Sequence, residues 1–451
     1  MKKILIILIL PIISFGIYDI EWFDLNHWRC PFTNDGRLGV DVSGGIPEAG
    51  ATWPQPLRNF YIYGAGIWIG TIVNNETLVT FSYCINSGGT EMYPTLCRYW
   101  RQPLSDSDRI YKYPGDWPPP RNRFPLAPQE PHSQMDLWMC FSDSNPQQHQ
   151  PPGRPLGMDV YLTVYGFSDS IAQDIFILKY QLVNSSGFRL NPVYMGIIID
   201  ADIGSYRDDM AGLILNKLFQ IGSDTFRIKN VGFFYDYDNI EPPSEVWERG
   251  TPGTVAIRLL KAPNNLNLTA FKKWTIEEDP VEDKARYLTL LGYNHLTGEY
   301  ETYDSIDETP GDKRGLLSCG PFEILPDSII TLYFAVIGSP YGDSGQGPQG
   351  RDTSQLALRC FWAEQVLERI LAIEEEKITK FDNKGTVIPS IWKSRVPFNI
   401  PMNENLSIYD ISGSLIKRLP GRKLRDKREL SPGIYFIHWE KKEQIYKIIV
   451  Y

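Results

Sequence analysis

The stretch Phe176-Ile-Leu-Lys-Tyr-Gln-Leu182 places Phe176, Leu178, Tyr180 and Leu182 on one side of an extended chain. Lys179 and Gln181 fall on the other side, the two-residue period of a strand with one buried face. The same period runs through Met158 to Tyr165, where Val160, Leu162 and Val164 align, and through Val255, Ile257 and Leu259. It returns in Ile330, Leu332, Phe334 and Val336. Turn formers such as Asn184-Ser185-Ser186-Gly187 and Leu325-Pro326-Asp327-Ser328 bound these runs. Short strands joined by turns, with no helices between them, predict a mainly β chain whose core is an antiparallel β-sandwich.

Two stretches depart from that pattern. Pro114 to Gly157 is crowded with proline, including Pro118-Pro119-Pro120 and Pro151-Pro152, and predicts a long irregular excursion because proline cannot donate to a ladder. From Ser354 to Ile373, Leu356, Ala363, Leu367 and Ile370 recur at helical spacing after the capping residue Thr353, predicting one late amphipathic helix on the sandwich. The core is thus expected over 17–373, with a polar linker over 374–395 that starts at Glu374-Glu375-Glu376. A small Ig-like β module follows over 396–451, with strands at Leu406–Tyr409 and Leu415–Leu419 and a hairpin closing around Lys441-Lys442-Glu443.

Met1-Lys2-Lys3, the apolar run Ile4 to Ile13 and Ser14-Phe15-Gly16 form the charged start, apolar middle and small-residue cut of a signal peptide spanning 1–16. The run is shorter than the roughly 20 residues of a membrane-spanning helix. No other long apolar segment follows, so no membrane span is expected in the mature chain. A net charge of −9 over 451 residues disfavours a nucleic-acid partner, whose phosphates need basic surface. Cys30, Cys84, Cys97, Cys140, Cys319 and Cys360 show neither a CxxC pair nor zinc spacing. Cys84 and Cys97 are the one pair within local reach; disulfides and buried free thiols both stay open.

Asn405 to Leu419, then Leu430-Ser-Pro-Gly-Ile-Tyr-Phe436 and the terminal Tyr446-Lys-Ile-Ile-Val-Tyr451, resemble the C-terminal sorting domain of type IX secretion cargo. The residues that carry the likeness are Tyr409, Asp410, Gly413, Gly433, Tyr435 and Lys447. The resemblance implies recognition by the secretion machinery and a destination in the medium or on the outer cell surface. The body is similar to secreted proteins of no assigned chemistry that carry such domains, through Trp53-Pro54, Tyr63 to Gly70, Ile199 to Gly204, Asp208-Asp209 and Gly320-Pro321-Phe322.

The candidate site is acidic: Asp200-Ala201-Asp202, Asp208 and Asp209 in the loop that follows, and Asp236-Tyr237-Asp238. Residues i and i+2 of an extended chain share a side, so each Asp-x-Asp offers two carboxylates together. If Leu213 to Phe219 is the middle strand of a meander, both Asp-x-Asp ends lie at one sheet edge, where hard oxygen ligands suit calcium. Aspartates that merely end strands and make turns are the plainer reading. A non-enzymatic binding or structural role leads. A secreted hydrolase, either glycosidase or protease, is the competing class. For it, Gly342-Asp343-Ser344-Gly345 resembles the nucleophile segment of trypsin-like proteases, whereas adjacent Glu277, Glu278 and Asp279 suit a solvated turn. Tryptophans near the proline-rich stretch, Trp117 and Trp138, raise a surface glycan as partner if their rings are exposed.

Overall fold

A computed structural model describes residues 19–341 except 45–46, 85–88, 151, 222 and 306, and then 352–380, 387–392, 405–410, 415–420, 433–439 and 444–450. The expected signal peptide, Ser344 and Gly413 lie outside the described residues. The chain is mainly β, as the alternating runs require. One sheet has eight strands in the spatial order Asp209–Ile221, Asp224–Asp236, Thr254–Lys261, Ile329–Ser339, Ile175–Asn184, Met158–Gly166, Met135–Ser142 and Tyr111–Tyr113, every pair antiparallel. The second has five: Ala270–Thr275, Lys313–Ile324, Leu190–Ala201, Gly64–Val73 and Glu76–Phe81, again antiparallel.

The side chains picked out by period two fill the space between these sheets. Phe176, Leu178, Tyr180 and Leu182 meet Ile67, Ile69, Met195, Ile197 and Leu317 in one cluster, joined by Val160, Val255, Leu332 and Phe334. The opposite face of the larger sheet carries Ile175, Ile177, Met210, Phe233 and Ile337. Over it lies the late helix, Ser354–Lys380, whose Leu356, Ala363, Leu367 and Ile370 are the apolar stripe the sequence marks. Truncating Leu356, Leu367 or Ile370 to alanine removes about 2–5 kcal/mol.

Three expectations change. Pro114 to Gly157 is not one irregular excursion, because Met135–Ser142, a proline-free run, forms a wholly buried strand inside it. The prolines are confined to loops on either side, which roof a cluster of Leu96, Tyr111, Phe124, Trp138 and Tyr161. A second helix, Asp283–Leu291, covers the outer face of the smaller sheet through Tyr287 and Leu290 against Trp68, Ile198 and Leu316. It runs little more than two turns, too few for its 3.6-residue period to stand out.

The late helix also runs on through the glutamates at which a linker is expected. Glu374 is held there by Lys179 Nζ at 2.6 Å and by the Tyr333 hydroxyl, which donates at 3.1 Å. The C-terminal sheet begins at Val387–Trp392, which pairs in parallel with Gln444–Val450. Asn405–Asp410, Leu415–Pro420 and Gly433–Trp439 complete its five strands. Within it, Asp410 faces Tyr435, and Phe436 lies between Tyr409 and Lys447. No helix among the described residues is long and apolar enough to cross a membrane.

Cys97 is unbridged, so the local pairing with Cys84 is not made, and Cys84 Sγ instead accepts from Arg286 Nη2 at 3.8 Å.

Candidate metal centre

The expected meander does not exist, because Leu190–Ala201 belongs to the smaller sheet and only Asp209–Ile221 and Asp224–Asp236 are neighbours in the larger one. The acidic strand ends still converge. Asp200, near the end of the first strand, lies at the same rim of the sandwich as the opening pair of the hairpin, Asp209 opposite Asp236. The carboxyls form a row: burial drives Asp209 far above the usual carboxylate range, and Asp202 on one side and Asp236 and Asp208 on the other push it the same way.

The row divides into two groups, each with carboxylate oxygens within 4.8 Å of one another, and both could hold a metal ion: Asp200, Asp202 and Asp312; and Asp208, Asp236 and Glu241. Asp209 and Asp238 fall in neither trio. Asp209 Oδ2 accepts the Ile203 N–H at 3.2 Å, and Asp238 Oδ1 closes an Asx turn onto the Ile240 N–H at 2.8 Å.

The first group contains its own cation. Arg314 stands opposite Asp200 across the ladder, and its guanidinium reaches Asp200 at 3.2 Å, Asp312 at 3.6 Å and Asp279 at 3.7 Å. The Tyr83 hydroxyl donates to Asp200 at 2.7 Å. Burial pushes Asp200 up to about 7 despite the arginine, and burial together with the neighbouring Asp200 pushes Asp202 up to about 8. Glu277 and Glu278 are exposed as a turn requires, but Asp279 is buried in this network and accepts from Trp274 Nε1.

The second group has no such partner. The charges that shift Asp208, Asp236 and Glu241 are carboxylates, Asp208 and Asp238 among them, and no lysine or arginine among the described residues lowers any of the three. Nearby lysines are engaged elsewhere: Lys273 and Lys313 both pair with Asp307, at 3.1 and 3.0 Å. Asp236 has 0% exposure, and neither of its oxygens has a hydrogen bond of acceptable geometry, although the Asn239 amide lies close enough to pull its pKa down and the Glu241 carboxyl close enough to share a proton with it. Burial and then Asp208 raise it to about 7. A buried carboxyl without a donor is costly and calls for a ligand or a proton.

Glu241 is built in rather than drifting. Its Oε1 accepts the Ser205 N–H at 2.8 Å, and its carboxyl lies where a side chain on Gly204 would stand, so that glycine, at φ +68°, is required by both backbone and space. The Tyr237 N–H donates to the Asp208 carbonyl at 3.0 Å, tying the two loops together. They wall a cleft of about 500 Å³ with Phe60, Asp202, Tyr206 and Ile240.

Glu241, Asp312 and Arg314 escape the sequence reading. Glu241 was open to detection as the third acid of Asp236-x-Asp238-x-x-Glu241, and Asp312 and Arg314 as an alternating acid and base entering a strand. A larger cleft, of about 820 Å³, lies beneath the proline-rich loops. There Asp159 is already committed to the Cys97 N–H and the Ser185 hydroxyl. Trp138, also under these loops, is fully buried among Tyr111, Phe124 and Tyr161, and Trp117 stands edge-on to Tyr113. An enclosed ring cannot stack on a sugar. No family model matches the chain, and no curated protein is similar to it.

Proposed function

We propose that this is an exported, non-enzymatic surface or binding protein, directed out of the cytoplasm by Met1–Gly16 and across the outer membrane by its C-terminal module, with calcium at its acidic rim. The observation that carries the reading is how the charged groups are used. Where histidines meet carboxylates, the contacts brace the scaffold. His27 Nδ1 lies 2.8 Å from Asp174, but that carboxylate also accepts from Trp53 Nε1 at 3.1 Å and Arg359 Nε at 2.8 Å. His149 is buried between Glu91, at 3.2 Å, and the Asp143 carbonyl, at 2.8 Å. No serine hydroxyl bonds a histidine ring among the described residues, so the nucleophile and base of a serine hydrolase are not paired there. The rim is different in kind, since its carboxyls gather around a fully buried Asp236, as the oxygen ligands of hard-cation sites do.

Support for the delivery route is the likeness of Tyr409-Asp410, Gly433-Ile-Tyr435 and Lys447 to the sorting family, three segments that adjacent strands of one small sheet carry. The test compares the full chain with one ending at Lys380 in a host with type IX secretion. The full chain is expected in the medium or on the surface. The shortened chain is expected to accumulate in the periplasm with the β-sheet circular dichroism of a folded core. Surface delivery of the shortened chain would remove the sorting role.

A further inference from the structure

We infer that the calcium site of this protein is the trio Asp208, Asp236 and Glu241, and that the neighbouring trio of Asp200, Asp202 and Asp312 is a metal-independent ion network. This rests on the calcium reading above and says which carboxyls carry it. Three observations separate the trios. Arg314 occupies the first group and would repel a divalent ion approaching Asp200 and Asp312. No lysine or arginine among the described residues pairs with the second, and its Asp236 is fully buried without a hydrogen bond of acceptable geometry, its polar neighbours being the Asn239 amide and the Glu241 carboxyl. Its loops are also braced around the gap, by the Ser205 N–H on Glu241 and the Tyr237 N–H on the Asp208 carbonyl.

Ligand chemistry favours calcium. Calcium takes oxygens at about 2.4 Å, so two on opposite sides stand about 4.8 Å apart. The three oxygens, all within 4.8 Å of one another, are close enough to share one ion of that size. Magnesium holds ligands at about 2.1 Å in a strict octahedron and gives up its waters reluctantly, which suits a trio of carboxylates drawn from two loops less well. Three carboxylates leave at least three positions for water, loop carbonyls or a ligand in the adjoining cleft, whose wall includes Asp208 and Glu241. Bound calcium would thus pin the loop that follows Leu190–Ala201, in one sheet, to the loop that follows Asp224–Asp236, in the other.

The test is calorimetric titration of the full chain, stripped with chelator, with calcium chloride and in parallel with magnesium chloride; terbium luminescence excited through tyrosine gives a second readout. Calcium is expected to bind at one site, at least about tenfold more tightly than magnesium. Glu241→Gln and Asp208→Asn, both in partly exposed loops, are expected to weaken calcium by at least about tenfold, while Asp202→Asn and Asp312→Asn leave it within about threefold. Circular dichroism in chelator confirms that each variant is folded. Asp236→Asn is the further variant if either loop change disturbs the fold. Calcium binding that is lost in the Asp202 and Asp312 variants but kept in the others would overturn the assignment and leave the calcium reading standing. A wild-type chain that binds no calcium overturns both, and magnesium binding as tightly as calcium overturns the choice of ion.

Discussion

Asp209 and Asp236 face each other as the opening pair of an antiparallel ladder, and neither has any exposed surface. Like charges in directly opposed positions are destabilising, and here no water moderates them.

Stability without metal should therefore fall as pH rises. Asp236 and Asp200 are raised to about 7, Asp202 to about 8, and Asp143 and Asp283 to about 6, in each case with burial as the largest cause. An unfolded aspartate titrates near 3.9, so from about pH 4 up to these values the folded chain holds more protons than the unfolded one. In chelator, the melting temperature at pH 5 is expected to exceed that at pH 8 by at least about 5 °C, and calcium should narrow the gap. Asp236→Asn removes a charge that nothing pairs and should raise the metal-free melting point at pH 8. A flat or rising profile between pH 5 and 8 in chelator would contradict the account.

Arg314 is the reverse case. It is the cation on which Asp200, Asp279 and Asp312 converge, 2% exposed, and Arg314→Met leaves those acids in a dry site without it. The expected loss is about 3–5 kcal/mol, read as a lower urea midpoint with an unchanged slope. The pH dependence above should steepen as well. A loss under about 1 kcal/mol would mean that the acids are held neutral and need no counter-ion.

How far the sequence carries depends on what each residue answers to. Phe176, Leu178, Tyr180 and Leu182 answer to one local rule, burial on one side of an extended chain, and all four lie between the sheets. Leu356, Ala363, Leu367 and Ile370 obey the equivalent helical rule. The strand Met135–Ser142 is buried on both faces, so it has no alternation to display, and the surrounding prolines mask it. Pairing between sheets is another matter. That Asp209 meets Asp236 while Asp200 meets Arg314 depends on which strands are neighbours, and no local period encodes that.

Asp174 shows the same limit. Nothing near it in sequence marks it, yet it joins His27, Trp53 and Arg359, while its carbonyl accepts the Trp28 indole N–H at 3.0 Å. Asp174→Ala should cost about 3–5 kcal/mol by leaving the nearly buried Arg359 unpaired. Chemical denaturation of Asp174→Ala and of His27→Ala separates the parts. His27 is 41% exposed, and its loss is expected to cost under about 1 kcal/mol. Equal losses in the two variants would make the histidine, not the arginine, the group that needs Asp174.

The unbridged thiols carry a consequence for the proposed journey out of the cell. Cys140 and Cys30 are buried with their pKa values driven far up, and Cys319 and Cys360 are pushed to about 12, so scarcely any thiolate exists to attack an oxidant. Cys97, at the larger cleft, is raised by burial and then by Asp159. A chain built this way would need neither an oxidase nor a disulfide shuffler to reach this fold. On the proposed route from a reducing compartment into an oxidising one, its durability outside would rest on the packed layers and not on covalent staples.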